Sequence, residues 1–366
     1  MNVIPEDLFR FAGLVVGMVL SSSAGALECG NFTFPKCSAP DVQYAGGFDP
    51  GTGFGGFGGG KCKAVRTPLV FIHGNADRAI SWDSQVQGGV AGYTPPIRSV
   101  YQEFKHQGYN DCELFGVTYL SAEEQQNPQD NFHRHGKYEI IKKFIDAVRA
   151  STGSATVDLV THSLGVSMAI ATLEANDAWA GIRRFVNIAG GIRGLNSCLY
   201  VGPANAAVAT CGSQNIFDPY VFGFYPNYNR WTGAADEHSL RLIPSRRKPV
   251  LFYTLHAGLH DQVHCSTAKG FSDCAQGALF AAGPNVRAQL DVGAGSTTGR
   301  VDFDFTHLSP DPAQSIKVNT MGGDTDGIGH FKARNDTGAI IYTMLNEDCK
   351  KMACQGPYRG GPVQAN

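Results

Sequence analysis

Apolar positions along the chain change period in a regular alternation. Residues 68–72, Pro-Leu-Val-Phe-Ile, form an unbroken apolar run, as expected of a strand buried on both faces. A helix is predicted over about residues 96–107 and a strand over 113–120. Tyr138, Ile141, Phe144, Ile145 and Val148 then recur at helical spacing and lay one apolar stripe along a long helix. A strand at 156–161, a helix at 166–175 and a strand at 184–189 follow. Two further apolar runs, 250–255 and 286–292, bring the count to at least five or six strands alternating with helices. Such alternation predicts an α/β fold: a mostly parallel central sheet with helices on both faces.

Three stretches interrupt the rhythm. Residues 46–60 are rich in Gly, with three Phe and almost no charge, and read either as a linker or as an ordered surface loop. Residues 191–249 carry many aromatics and Gly where a helix would be expected. An insertion of that length after the strand at 184–189 points to a lid or a substrate-contact region. Residues 11–20 are apolar and too short for a membrane span. Ser21-Ser22-Ser23 and Ala24-Gly25-Ala26, a small-x-small pattern, come next. This predicts a signal peptide over 1–26 and one domain over 27–366.

Composition narrows the class. A net charge of −2 in 366 residues leaves no basic footprint for nucleic acid. All ten cysteines follow residue 26, which in an exported chain implies disulfides. Cys29/Cys37, Cys198/Cys211, Cys265/Cys274 and Cys349/Cys354 are near neighbours, leaving Cys62 with Cys112, although other pairings satisfy the same count. Sequons stand at Asn31 and Asn335.

The chemistry concentrates where the strand at 156–161 runs into the helix through His162-Ser163-Leu164-Gly165. A sharp strand-to-helix turn of this kind presents a serine hydroxyl at the carboxyl edge of a sheet, with helix N–H groups behind it. The Gly usual two residues before such a serine is Thr161 here. In this architecture an acid and then a histidine follow in the chain. Asp261, on the loop after residues 250–255, and Gly-flanked His330 fit that order. Asp218, Asp302, Asp324 and Asp326 stay open as the acid on spacing, as do His264 and His307 as the base. Ile72-His73-Gly74-Asn75 ends an early strand and, with the N–H of Leu164, offers the N–H of Asn75 as an oxyanion donor. His73 and His162 flank these donors as supporting residues. His256, His260 and His264 are spaced by four, but Gly258 interrupts them, so loop histidines are expected rather than a zinc site.

Across nearly all of the chain after residue 26 the sequence resembles the extracellular poly(3-hydroxybutyrate) depolymerases that act on native amorphous polymer. Gln43-Tyr44-Ala45-Gly46-Gly47-Phe48, Phe71-Ile72-His73-Gly74-Asn75, Gly108-Tyr109-Asn110-Asp111-Cys112, Ala189-Gly190-Gly191-Ile192-Arg193-Gly194, Asp261-Gln262-Val263 and Gly329-His330-Phe331 carry the likeness. The resemblance implies a lipase-like α/β-hydrolase fold and a triad on Ser163, Asp261 and His330. It further implies polymer contacts near 129–133 and 215–220. Leu164 stands where that family has Met.

The expected function is therefore a secreted serine esterase cleaving a hydrophobic polyester through an acyl-enzyme, without metal or organic cofactor. The expected protein is an extracellular monomer with no nucleic-acid partner and no transmembrane anchor. A triacylglycerol lipase or general carboxylesterase would use the same machinery. A non-catalytic secreted binding protein on a hydrolase scaffold is the reading from another class.

Overall fold

The computed structural model describes residues 43–84, 90–226, 250–265, 274–295, 301–303, 316–318 and 327–366. The segment read as a signal peptide, Cys29, Cys37, Asn31, His307, Asp324 and Asp326 lie outside them.

The apolar run forms β3 (Leu69–Ile72), preceded by two short strands, β1 (Tyr44–Ala45) and β2 (Gly56–Phe57). The glycine-rich stretch is thus an ordered part of the sheet edge. Then come α1 (Val100–His106), β4 (Leu114–Val117), α2 (Ala122–Gln126), α3 (His135–Thr152), β5 (Val157–His162), α4 (Leu164–Ala175), β6 (Ile182–Ile188) and α5 (Asn196–Val201). β7 (Leu251–His256), β8 (Val286–Asp291), β9 (Val301–Phe303), β10 (Ile316–Val318), α6 (Lys332–Asn335), α7 (Gly338–Asn346) and β11 (Gln364–Ala365) complete the chain. β9 and β10 pair with each other, apart from the main sheet.

Nine strands make that sheet in the order β1-β2-β4-β3-β5-β6-β7-β8-β11. All neighbours are parallel except β2/β4 and β8/β11. This is the α/β-hydrolase arrangement, with the nucleophile-bearing type of turn after the central β5. Alternation along each strand sends side chains to opposite faces. Val70, Ile72 and Leu159 join the core under α3 and α4, while Leu69, Phe71 and Val160 join the core under α1 and α7. The helical stripe Tyr138, Ile141, Phe144, Ile145 and Val148 is wholly buried, as its spacing requires, and α3 stops at Gly153, which takes the left-handed conformation. Truncating a fully buried ring such as Phe71 would cost about 3–5 kcal/mol.

Disulfides join Cys62–Cys112, Cys198–Cys211, Cys265–Cys274 and Cys349–Cys354, and the described cysteines include no free thiol. Cys62–Cys112 ties the glycine-rich edge to the entry of β4. Between β6 and β7 the expected insertion holds α5 and the Cys198–Cys211 staple, described as far as residue 226. Asn335 lies in α6 with Thr337 of its sequon buried. Among the described residues no helix is long and apolar enough to cross a membrane.

Candidate active site

β5 ends at His162 and α4 begins at Leu164, so Ser163 alone makes the turn. Its φ of 53° and ψ of −125° place a non-glycine residue in strained backbone. The strain is held from both sides: the Ser163 N–H donates to Ile188 O on β6 at 2.9 Å, and Val166 N–H donates to Ser163 O at 3.0 Å. Gly165 is required because a Cβ there would sit 2.2 Å from His73 O, where α4 crosses the end of β3. Thr161, in place of the usual Gly, is accommodated because its hydroxyl donates to Val186 O at 2.9 Å. The N–H of Leu164 opens α4, where the helix ladder provides no acceptor.

The loop after β3 lies against this turn: a Cβ on Gly74 would stand 3.0 Å from Ser163 Cβ. Asn75 is fixed by its own side chain. Its Oδ1 accepts from Ala76 N–H at 3.0 Å and from Asn131 Nδ2 at 2.8 Å, and its Nδ2 donates to Pro128 O at 2.9 Å. His73 is buried beside it and stacks on Tyr119 with ring centroids 4.3 Å apart. Tyr119 N–H donates to its Nε2, and its Nδ1–H donates to Gly74 O at 2.8 Å. Burial holds its pKa down at about 4 against the opposing charge of Asp77, so this imidazole is a neutral strut for the loop.

Asp261 follows β7 and His330 precedes α6. The His330 Nδ1–H reaches both carboxylate oxygens, at 2.9 and 3.0 Å, and both residues are buried. Asp261 Oδ1 also accepts from Val263 and His264 N–H groups at 3.0 and 2.9 Å. Burial pushes the carboxyl up, yet the nearby His264 and His330 charges and these hydrogen bonds win and hold it below the usual carboxylate range. Gln262 Oε1 accepts from the His330 N–H at 2.8 Å. His162, the residue before Ser163, donates its Nε2–H to His330 O at 3.2 Å, with the rings 4.8 Å apart. Burial, reinforced by the Arg334 and His330 charges, keeps His162 far below the usual histidine range. His330 is thereby attached to the serine turn itself.

Of the other candidates, Asp218 pairs with exposed His135 at 2.8 Å. His264 stands 4.0 Å from Asp261 Oδ2, beyond hydrogen-bond range, whereas His330 Nδ1 is within 2.9 Å of the same oxygen. His256 and His260 share no helix with it: His256 ends β7 and accepts from Gly258 N–H. Asp261, His264 and His330 offer ligand atoms within 4.8 Å of one another, but the Asp261 and His330 atoms are bound to each other. Sequence reasoning missed the roles of Asn131 and Gln262, whose contacts join residues 56 and 68 positions away and leave no local signal.

Residues 66–218 match the family described as Lipase (class 2), a stretch running from before β3 past the serine turn. No curated protein matches the chain. Among solved structures, a lipase B from Aspergillus fumigatus is similar at 14% identity and a TM-score of 0.34. That alignment covers 59% of this chain and 42% of the lipase. A Bacillus licheniformis lipase, BlEst2 in its propeptide form, is similar at 12% identity and a TM-score of 0.33, covering 54% of this chain and 38% of that one. The carboxylesterase CesB of Bacillus subtilis is similar at 14% identity and a TM-score of 0.27, over 53% of this chain and 67% of its own. The chain thus spans well under half the length of the first two, and likenesses this partial bear no weight for function. The sheet order and the serine turn make the fold that of an α/β-hydrolase, and residues 66–218 are similar to the class 2 lipases.

Proposed function

We propose that Ser163, His330 and Asp261 are the catalytic triad of this hydrolase, and that its substrate is a hydrophobic polyester of the poly(3-hydroxybutyrate) kind. The observation that carries the triad is the buried Asp261 carboxylate on His330 Nδ1, with His330 O held by the residue beside Ser163. With Nδ1 donating to Asp261, Nε2 is left to take the Ser163 proton as the hydroxyl attacks the ester carbonyl. Asp261 then stabilises the imidazolium, and the N–H groups of Asn75 and Leu164 receive the oxyanion. His330 returns the proton to the leaving alkoxide, and water hydrolyses the acyl-enzyme by the same route.

The polyester reading is supported by the sequence resemblance and by the loop at 215–218. Asn215 Oδ1 accepts from Phe217 and Asp218 N–H groups at 2.8 and 3.3 Å, and the turn presents Ile216 and Phe217, 87% and 90% exposed. Two adjacent apolar side chains on a braced tip suit contact with an apolar solid. The four disulfides fit an oxidising compartment, and secretion with removal of residues 1–26 completes the reading. The protein then acts as one monomeric domain, with the described part of the insertion, residues 191–226, contributing substrate contacts. The lipase-family match favours a second reading, hydrolysis of triacylglycerols by the same triad. Turnover of amorphous polyhydroxybutyrate, tributyrin and a long-chain triglyceride, measured side by side on wild type and Ser163→Ala, tests both. Polymer clearance by wild type alone supports the first reading, and triglyceride cleavage without polymer clearance supports the second. Equal activity of the two proteins would overturn the triad.

A further inference from the structure

The proposed chemistry needs two loops in register across the sheet edge: residues 73–77, which carry the N–H of Asn75, and residues 327–331, which carry His330. Both are irregular, and each is held by a buried amide side chain, Asn131 and Gln262 respectively. One ion pair, its arginine buried and its aspartate mostly so, links the first loop to α6, the helix that continues the second. Arg334 lies one helical turn after His330, and α6 grows straight out of the histidine loop: Ala333 N–H donates to Gly329 O and Arg334 N–H to Phe331 O, both at 3.0 Å. Asp77 lies two residues after Asn75. The Arg334 Nη1 donates to Asp77 Oδ2, and Ser81 Oγ donates to the other carboxylate oxygen. The Arg334 side chain is 5% exposed and that of Asp77 22%. Arg334 is further seated over the Trp82 ring at 5.5 Å, and its Nε donates to Asn335 Oδ1 at 2.7 Å.

We propose that Arg334 and Asp77 are a positioning pair that fixes the separation between His330 and the oxyanion-binding amide of Asn75. The inference rests on the triad reading and adds a requirement to it. Neither side chain takes part in the proton transfers; Asp77 acts through its own loop and Arg334 through α6, which continues the histidine loop. A buried ion pair contributes little net stability over apolar replacements, but it tolerates only one geometry, because either partner left alone is a desolvated charge. Such a contact serves register better than it serves stability. Near-attack geometry is sensitive at this scale: a displacement of about 1 Å can cost about 100-fold in rate.

The test compares wild type with Arg334→Met, Arg334→Lys, Asp77→Asn, the double variant Asp77→Asn/Arg334→Met, and Ser163→Ala. The soluble substrates are p-nitrophenyl butyrate and butyl butyrate. A nitrophenolate leaves without a proton, whereas a butoxide needs one from His330, so the ratio of the two rates reports on the histidine's placement. Arg334→Met is expected to lower kcat for butyl butyrate about 10- to 100-fold and for the nitrophenyl ester several-fold less, with KM within about twofold. Arg334→Lys should recover most of the loss. The double variant holds no lone buried charge and should melt within a few degrees of wild type, yet remain slow on butyl butyrate. Wild-type kcat for butyl butyrate in the double variant would overturn the positioning role and leave the pair a structural one, whereas equal losses on both esters would place the displacement at the Asn75 amide rather than at His330. Turnover by Ser163→Ala would instead overturn the triad reading, independently of the pair.

Discussion

Two serine–histidine neighbourhoods flank the start of α4, four residues apart, and only one has the surroundings of a nucleophile. Ser167 lies 2.7 Å from His133 Nε2, with its hydroxyl also 3.2 Å from Leu164 O. His133 Nδ1–H donates to Phe222 O at 3.0 Å, and the ring stacks on Phe222 with centroids 3.9 Å apart. The orientation matches that of a catalytic pair: Nδ1 donates backward and Nε2 faces a hydroxyl. What differs is everything around it. The acceptor behind His133 is a neutral carbonyl, where His330 has the Asp261 carboxylate. Ser167 is fully buried inside a helix, whereas Ser163 sits on a strained turn at the helix N-terminus beside Gly74. Burial holds the His133 pKa down at about 3, against a weak opposing effect of the Phe222 hydrogen bond, so an imidazolium there is strongly disfavoured. A serine next to a histidine is therefore a fastener, and a carboxylate with an oxyanion site turns it into a reagent.

The largest expected effect separates the two serines. Ser163→Ala should lower kcat by about 10⁴- to 10⁶-fold, while Ser167→Ala leaves kcat within an order of magnitude. Fluorophosphonate labelling followed by peptide mass spectrometry should mark Ser163 only, and modification of Ser167 would break the distinction. Next, Asp261→Asn should cost about 10⁴-fold in kcat, since the amide no longer fixes the tautomer or stabilises the imidazolium. The corresponding carbonyl behind His133 has no such kinetic role, so His133→Gln should alter Tm far more than kcat.

The third effect is on stability and pH. Above about 6.5 both folded and unfolded His133 are neutral. As pH falls from there toward about 3, the unfolded histidine takes up a proton that the folded one refuses. His133 thus contributes stability that is full above 6.5 and lost on acidification through that window. Urea unfolding at pH 7 and at pH 5 should show a smaller pH dependence for His133→Gln than for wild type, and an unchanged slope would refute the neutral-histidine account. Ser167→Ala should itself destabilise by about 1–3 kcal/mol, because His133 Nε2 would be left buried without a donor. The smallest effect expected is that of Leu164→Met: only the backbone N–H of this residue is assigned a task, so kcat should stay within about twofold.

What was legible in the sequence follows from the range of the interactions concerned. The stripe from Tyr138 to Val148 and the run from Leu69 to Ile72 report local periodicity, and both elements formed where that periodicity placed them. The turn at Ser163 was legible for the same reason, since strand, serine and helix are consecutive. Asp261 and His330 stand 69 residues apart, and spacing left other acids and histidines open; the resemblance, not a local pattern, singled them out. His133–Ser167, Asn75–Asn131 and Asp77–Arg334 were invisible, being joined only once the chain is folded. The glycine-rich stretch allowed two readings because composition does not encode pairing. Its backbone resolves them by joining Tyr44–Ala45 to Gly56–Phe57, and those to β4.

Among the described residues the sheet ends at both sides in strands of two residues, β1 and β11. A row of free amides and carbonyls that short is a poor template for another chain to extend. On the polyester reading proposed above, copies of the protein would crowd together on a solid, and margins clipped this short give them little backbone to stitch into fibrils.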